Sequence, residues 1–198
     1  NNIPYVVVGG AGIQAAIVDA LTESGRESIM QRKHELKWLL RSTDDVDLAV
    51  RAERLQVGNA LQQLALSDPS LAIDLPYSFN PTAHVQSKEK IVKVHLNIET
   101  NKDEFKGLSK CYDEIIDNPA SATIRYNSHA PFTVYTAAPE FLIASKLTRS
   151  KPKDVVDITN LIRILGIDKI NRTKIEEVLE ACNKASGRVT FDSILEDL

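Results

Sequence analysis

Val6, Val7 and Val8 run directly into Gly9-Gly10, and further along the chain Asp45-Val46-Asp47-Leu48-Ala49-Val50 alternates polar and apolar residues. This pairing of a β-branched run stopped by glycines with an alternating acidic run constrains the fold more than any other feature. Residues two apart on a strand point to the same face, so Thr43, Asp45 and Asp47 share one side and Val46, Leu48 and Val50 the other. One face is expected to be core and the other acidic. Two carboxylates on one face repel each other unless a cation lies between them, and hard divalent cations with oxygen ligands meet that need. The pattern points to magnesium-dependent chemistry on phosphates.

The rest of the chain arranges itself around these strands. Residues 4–9 read as a buried strand, and Ile13, Ile17 and Leu21 give the following stretch helical spacing. Glycines at such a junction let a helix amino terminus approach an anion, although turns require glycine equally often for conformational reasons alone. A second helix is expected over 27–40, the acidic strand over 44–50 and a third helix over 53–66. The stretch around Pro69, Pro76 and Pro81 should hold short edge strands at most. Residues 91–98 alternate, with Val92, Val94, Leu96 and Ile98 on one face and Lys93, His95, Asn97 and, at the strand's end, Glu99 on the other. Two more strands are expected over 122–126 and 132–136.

From Pro139 the pattern is helical. Pro139 suits a first helical position and Glu140 complements the helix dipole, giving a helix to about Arg149. Lys151-Pro152 breaks it, a helix over 153–165 stops at Gly166, and two more follow over 171–184 and 190–197. The expected fold is α+β: a mixed sheet with flanking helices over 1–137, then a helical segment over 138–198.

Composition narrows the class. At 198 residues, with 43% hydrophobic and 26% charged residues, the chain can bury a core in one domain or two small packed ones. No apolar run approaches the roughly 20 residues that span a bilayer and no secretory pattern opens the chain, so a cytoplasmic protein without membrane attachment is expected. The first residue is Asn1 and a strand follows almost at once, which suggests the removal of a few upstream residues. Cys111 and Cys182 are the only cysteines and, far apart in sequence, read as buried or idle thiols. A net charge of −3 argues against a protein that coats nucleic acid unspecifically. Two local basic stretches remain, one carrying Arg26, Arg32, Lys33, Lys37 and Arg41, the other Lys146, Arg149, Lys151 and Lys153. Each reads either as a solvated helix face or as a surface for polyphosphate or RNA.

Gly9-Gly10 after the first strand, Asp45-Val46-Asp47 on a later one, Arg41 and Thr43 before it, and Leu142, Lys146, Arg149, Lys153-Asp154 and Asp157 in order behind resemble the nucleotidyltransferase superfamily. Within it they look like the AbiEii/AbiGii abortive-infection toxin branch, over most of residues 5–165. The resemblance implies a transferase that moves a nucleoside monophosphate from a nucleoside triphosphate to a hydroxyl. It implies that Asp45 and Asp47 are catalytic and bind Mg2+ or Mn2+, while Asp44, on the opposite strand face, does not. Gly9 and Gly10 would admit the triphosphate, and Arg41 and Thr43 would touch phosphate or steady the acidic strand, a structural salt bridge being the equal alternative for Arg41. Lys146, in the catalytic set, and Arg149 would contact nucleotide phosphates from one helix face, with Asp154 and Asp157 supporting them. The alternative for these four is an interhelical ion-pair network, and both roles can hold together. The branch further implies toxin-like activity, with a tRNA or protein acceptor and a cognate antitoxin as partners.

Two features depart from the family pattern. The linker from Gly10 to Asp45 is longer, by a basic helix around 26–40 of open function. Where many members carry a third acid within a following strand, this chain offers His95 and Asn97, with Glu99 at the edge. Hence a second reading, a non-catalytic domain of this type that binds nucleotide or a partner, stands beside the enzyme. A small-molecule nucleotidyltransferase is a third, which the basic linker disfavours.

Overall fold

Strand β1 (Tyr5–Val8) enters helix α1 (Gly9–Leu21) with no intervening loop. Gly9 allows this, because its φ of +65° lies in the left-handed region that a residue with a Cβ adopts only at a cost. The computed structural model describes residues 3–41, 43, 45–75, 80–86, 90–105, 108–149, 151–184 and 186–198. Asp44 and Pro76, both singled out in the sequence, lie outside the described residues.

The chain continues through α2 (Lys33–Leu39), β2 (Asp45–Val50), α3 (Arg54–Ser67), β3 (Leu71–Asp74), β4 (Thr82–Gln86) and β5 (Ile91–Ile98). After two 3-10 turns come α4 (Tyr112–Asp117), β6 (Ala120–Ile124) and β7 (Phe132–Thr136). Helices α5 (Pro139–Leu147), α6 (Pro152–Leu165), α7 (Arg172–Ala181) and α8 (Gly187–Glu196) complete the fold. The strands make one seven-stranded mixed sheet in the order β3-β4-β5-β2-β1-β7-β6. The architecture is α+β as the sequence implied, with a helical carboxy-terminal segment.

Two differences arise from contacts between parts of the chain distant in sequence. The helix expected over 27–40 is only α2, because the chain leaves α1 through Glu23, Ser24 and Gly25, all at positive φ, and the Ile29 amide is tied to the Arg125 carbonyl at 2.9 Å. The proline-bearing stretch holds two short strands, and β4 is not at the edge: β3 pairs with it on one side and β5 on the other.

The main core joins Val6 and Val8 of β1 and Ile13 and Ile17 of α1 to Phe141, Leu142, Ile158, Leu161, Ile175 and Phe191 of the later helices. It therefore draws on residues from both sides of position 137. A smaller cluster, with Val50, Leu96 and Ile98 against Val57 and Leu61 of α3, covers the other face of β2 and β5. Tyr112 is fully buried, and its hydroxyl lies 2.9 Å from the Val50 amide and 2.6 Å from the Asn97 carbonyl, which fastens α4 to the ends of β2 and β5. A tyrosine buried this deeply needs such partners, since its hydroxyl would otherwise lose water without replacement.

Candidate functional site

The antiparallel ladder between β1 and β2 sets Asp47 opposite Val8, the residue that precedes Gly9-Gly10. Residues paired in this way share a face, so the Asp47 side chain lies on the side of the sheet that carries Val8 and α1. Asp47 is buried, Asp45 is exposed, and Ala49 on the same face enters the main core. The face expected to be acidic is thus acidic at one end and core at the other. Thr43 Oγ1 lies 3.1 Å from Asp45 Oδ1 and 2.9 Å from the Asp45 carbonyl, which steadies the start of the strand. Lys90 Nζ donates to the Thr43 carbonyl at 2.9 Å and brings a cation to this end, a contact that no sequence spacing announces.

Arg41 connects the acidic strand to the carboxy-terminal helices. Its Nε donates to Asp157 Oδ1 at 3.0 Å, and a terminal nitrogen donates to Asp157 Oδ2 at 3.1 Å. The guanidinium is held above its ordinary value chiefly by the Asp157 hydrogen bonds; burial opposes them, and the charges of Asp157, Asp154 and Asp45 add to them. Gln14 of α1 donates to the Arg41 carbonyl at 2.8 Å, and Asn160 of α6 donates to the Leu39 carbonyl at 3.2 Å. Gln14 and Asn160 are positioning contacts that the sequence reading missed. A Cβ on Gly10 would fall 2.7 Å from an Arg41 terminal nitrogen and 3.9 Å from Lys146 Nζ. The second glycine thus leaves room for the Arg41 guanidinium over the first turn of α1, while Lys146 stands at ordinary contact distance.

Lys146 is 1% exposed and donates to Asp154 Oδ1 at 3.0 Å and to Asp157 Oδ2 at 2.7 Å. Arg149, half-buried, donates to the same Asp154 oxygen at 3.0 Å. Lys146, Arg149, Asp154 and Asp157 do form the interhelical ion-pair network, and Arg41 extends it to the sheet. Asp154 Oδ2 is buried without a hydrogen-bond partner. Burial alone would raise the Asp157 carboxyl, but the hydrogen bonds from Arg41 and Lys146 hold it below its ordinary value. A buried network of this kind adds little net stability over apolar packing, but breaking it is costly, which makes it a device for fixing geometry.

Two of the three candidates for a third metal-facing group have partners within the sheet, and the third lies beyond the strand. His95, paired with Asp47 in the parallel β2–β5 ladder, has its Nδ1 3.2 Å from Thr82 Oγ1. Asn97 donates to the Leu48 carbonyl at 3.0 Å, and Glu99 begins a 3-10 turn beyond the strand. No group of three or more His, Cys, Asp or Glu able to hold an ion occurs among the described residues. Asp45 and Asp47 are a hard oxygen donor pair, which suits Mg2+ or Mn2+ held jointly with substrate phosphate and water, the usual habit of Mg2+. They do not make a closed cage. The apolar groove of about 300 Å³ bounded by Leu48, Val57 and Leu61 opens on the opposite face of β2 and is separate from this arrangement.

Of the basic stretch before β2, Arg32 pairs with Glu27 and Glu35, while Lys33 and Lys37 are exposed. Trp38 is 78% exposed with Lys37 over its ring. No helix among the described residues is long and apolar enough to cross a membrane. No protein-family model matches the chain, and no curated protein matches it significantly.

Proposed function

We propose that this chain is a metal-dependent nucleotidyltransferase that transfers a nucleoside monophosphate from a nucleoside triphosphate to a hydroxyl acceptor. The observation that carries the reading is the ladder that sets Asp47 beside the Gly9-Gly10 turn, with Arg41 close over Gly10. A triphosphate needs a carboxylate-held cation, free backbone N–H groups and a fixed side-chain cation within one reach, and the nearness of Asp47, the first turn of α1 and Arg41 supports that reading.

Asp45 and Asp47 would hold Mg2+ or Mn2+, which when bound neutralises charge on the triphosphate. The first amides of α1 would face the phosphates, and Gly9 and Gly10 would leave room for them. Arg41, oriented by Asp157, offers its guanidinium to phosphate oxygen. Lys146 acts through Asp157 and Asp154 and fixes the network that aims Arg41 and Arg149. In the transfer the acceptor oxygen bonds to the α-phosphorus, the bond from that phosphorus to pyrophosphate breaks, and the hydroxyl proton passes to water. The resemblance to the abortive-infection toxins extends the proposal to toxin-like activity in the cytoplasm on tRNA or protein, under a cognate antitoxin.

The test is incubation with magnesium and each labelled nucleoside triphosphate, together with total RNA or cell protein. Label transferred to an acceptor by the wild type and lost in Asp47→Asn supports the reading. The engaged state of His95 and Asn97 favours a second one, a domain that binds nucleotide without turnover. Magnesium-dependent nucleotide binding with no label transferred to any acceptor selects that alternative, and no binding at all removes both.

A further inference from the structure

Arg54 is the only charged residue among the 14 of α3, in a chain of which 26% is charged. Val57, Gly58 and Leu61 are buried and hold the helix against the sheet. The side turned away from the sheet carries Leu55, Asn59, Gln62 and Leu66, all exposed, with Leu55 at 76% and Leu66 at 89%. These four follow one another at steps of four, three and four residues, which puts them in one stripe with the spacing of a seam between two packed helices. A solvated helix face is ordinarily charged, whereas the centre of an interface is depleted of charge. We propose that the stripe is an interaction surface for a second copy of this chain, the two α3 helices packing antiparallel about a two-fold axis that passes between Asn59 and Gln62.

The order of residues along the stripe selects this partner. Such an axis sets Leu55 of one copy against Leu66 of the other at both ends, and Asn59 against Gln62 in the middle. Each leucine then covers a leucine, and each amide meets an amide that both donates and accepts hydrogen bonds. Self-pairing brings groups close to their own copies, where like charges repel, so an uncharged stripe is what it requires. A strongly charged partner finds nothing on this face to meet. The antiparallel order also lays the amino end of one helix beside the carboxyl end of the other, a favourable placement of the two dipoles. A hollow of about 620 Å³ follows one flank of the stripe, bounded by Gln56, Asn59, Gln63 and Ser67, again without charge, and adds contact area. A 14-residue helix is only about 21 Å long. It falls short of a standard interface of about 800 Å² per partner, so a weak dimer is expected, with a dissociation constant on the order of 10–100 µM. Because α3 lies over the Val50, Leu96 and Ile98 cluster, the pairing leaves Asp47 and the Gly9-Gly10 turn uncovered and does not depend on the proposed transfer.

The experiment is sedimentation velocity of the full chain from about 1 µM to about 1 mM, a range that brackets the expected constant. Circular dichroism and Tm check that each variant folds. The wild type should pass from monomer to dimer. Leu55→Glu and Leu66→Lys change exposed positions and should each raise the dissociation constant roughly tenfold or more with Tm of the monomer unchanged. Both changes in one chain should dimerise more tightly than either alone, because an antiparallel pair sets their opposite charges face to face. Parallel helices would set like against like and give no recovery. Val189→Glu, at a 74% exposed position of α8, should leave the dimer as in the wild type. A chain still monomeric at about 1 mM, single variants that dimerise like the wild type, a double variant no tighter than the singles, or loss of the dimer in Val189→Glu overturns the proposal.

Discussion

Lys146 Nζ donates to Asp157 Oδ2 at 2.7 Å, and the same carboxylate receives the Arg41 guanidinium from the other side. One carboxylate on α6 thereby fixes a buried lysine from α5 and an arginine from the segment that leads into β2. Asp157→Asn leaves the Lys146 charge with only Asp154 and removes the carboxylate that grips the Arg41 guanidinium. Removing one partner of a buried pair costs about 3–5 kcal/mol, so the variant should lose that much stability near neutral pH. The pH dependence follows from the direction of the shift. Asp157 is held below its ordinary 3.8 in the folded state. Its contribution is complete above the unfolded value and is lost as pH falls through the lower folded value. The Tm difference between wild type and Asp157→Asn should therefore be constant through neutral pH and shrink below about pH 4. A difference that stays flat into strong acid would show that Asp157 is not the titrating partner.

Gly10 and Gly12 stand two residues apart on α1, and adding a Cβ should affect them differently. On Gly12 it would meet Leu142 Cδ2 at 2.8 Å and the Val7 carbonyl oxygen, part of the backbone, at 3.0 Å. On Gly10 it meets the far end of the Arg41 side chain. Gly12→Ala should cost about 1–3 kcal/mol through overpacking. Gly10→Ala should cost less than Gly12→Ala and yet weaken magnesium–nucleotide binding by roughly tenfold, because Arg41 is displaced from its carboxylate. Equal effects on stability and binding in the two variants would separate Gly10 from the site.

Strands β1, β2 and β5 were legible in the sequence because each has a local signal: a β-branched run ended by glycine in Tyr5–Val8, and alternation in Asp45–Val50 and Ile91–Ile98. Helix α5 announces itself by Pro139 in its first turn and α6 by Gly166 at its end, while Pro152, read as a break between the two, opens α6. What escaped was set by distant contacts. The truncated α2 depends on left-handed Glu23 and Ser24, residue types that do not signal that conformation. The β3–β4 pair and the burial of Tyr112 depend on ladders and partners elsewhere in the chain. In the candidate site, Asp45 and Asp47 stood out by spacing, whereas the Arg41–Asp157 contact joins residues 116 apart, and a single sequence contains no pairing information at that range.

Trp38 is the only tryptophan and is 78% exposed, on a helix whose end is fastened beside Arg41. Its fluorescence should be that of a solvated indole, quenched readily by acrylamide. If the acceptor is nucleic acid and runs over α2, a single-stranded oligonucleotide should quench it, and the effect should fall with added salt. Trp38→Ala would then weaken oligonucleotide binding roughly tenfold or more, with magnesium–nucleotide binding unchanged. Fluorescence indifferent to oligonucleotide would place the acceptor elsewhere.

The decisive variant is Asp47→Asn. Asp47 is nearly isosteric with its replacement and is buried next to the strand-to-helix turn, so the exchange keeps the packing and removes one hard anionic ligand. In the metal-free protein it also removes like-charge repulsion with Asp45, and Tm should stay unchanged or rise slightly. In the wild type, magnesium with nucleoside triphosphate at about a hundredfold its dissociation constant adds about 2.7 kcal/mol, an increase of roughly 5–10 °C in Tm. Asp47→Asn should lose that increase while keeping its own fold. Asp192→Asn serves as the control: Asp192 is an exposed partner of Arg172 in the last helix, and its replacement should leave the increase intact. If Asp47→Asn responds to magnesium and nucleotide as fully as Asp192→Asn does, the acidic face of β2 holds no cation and the proposed transfer loses its basis.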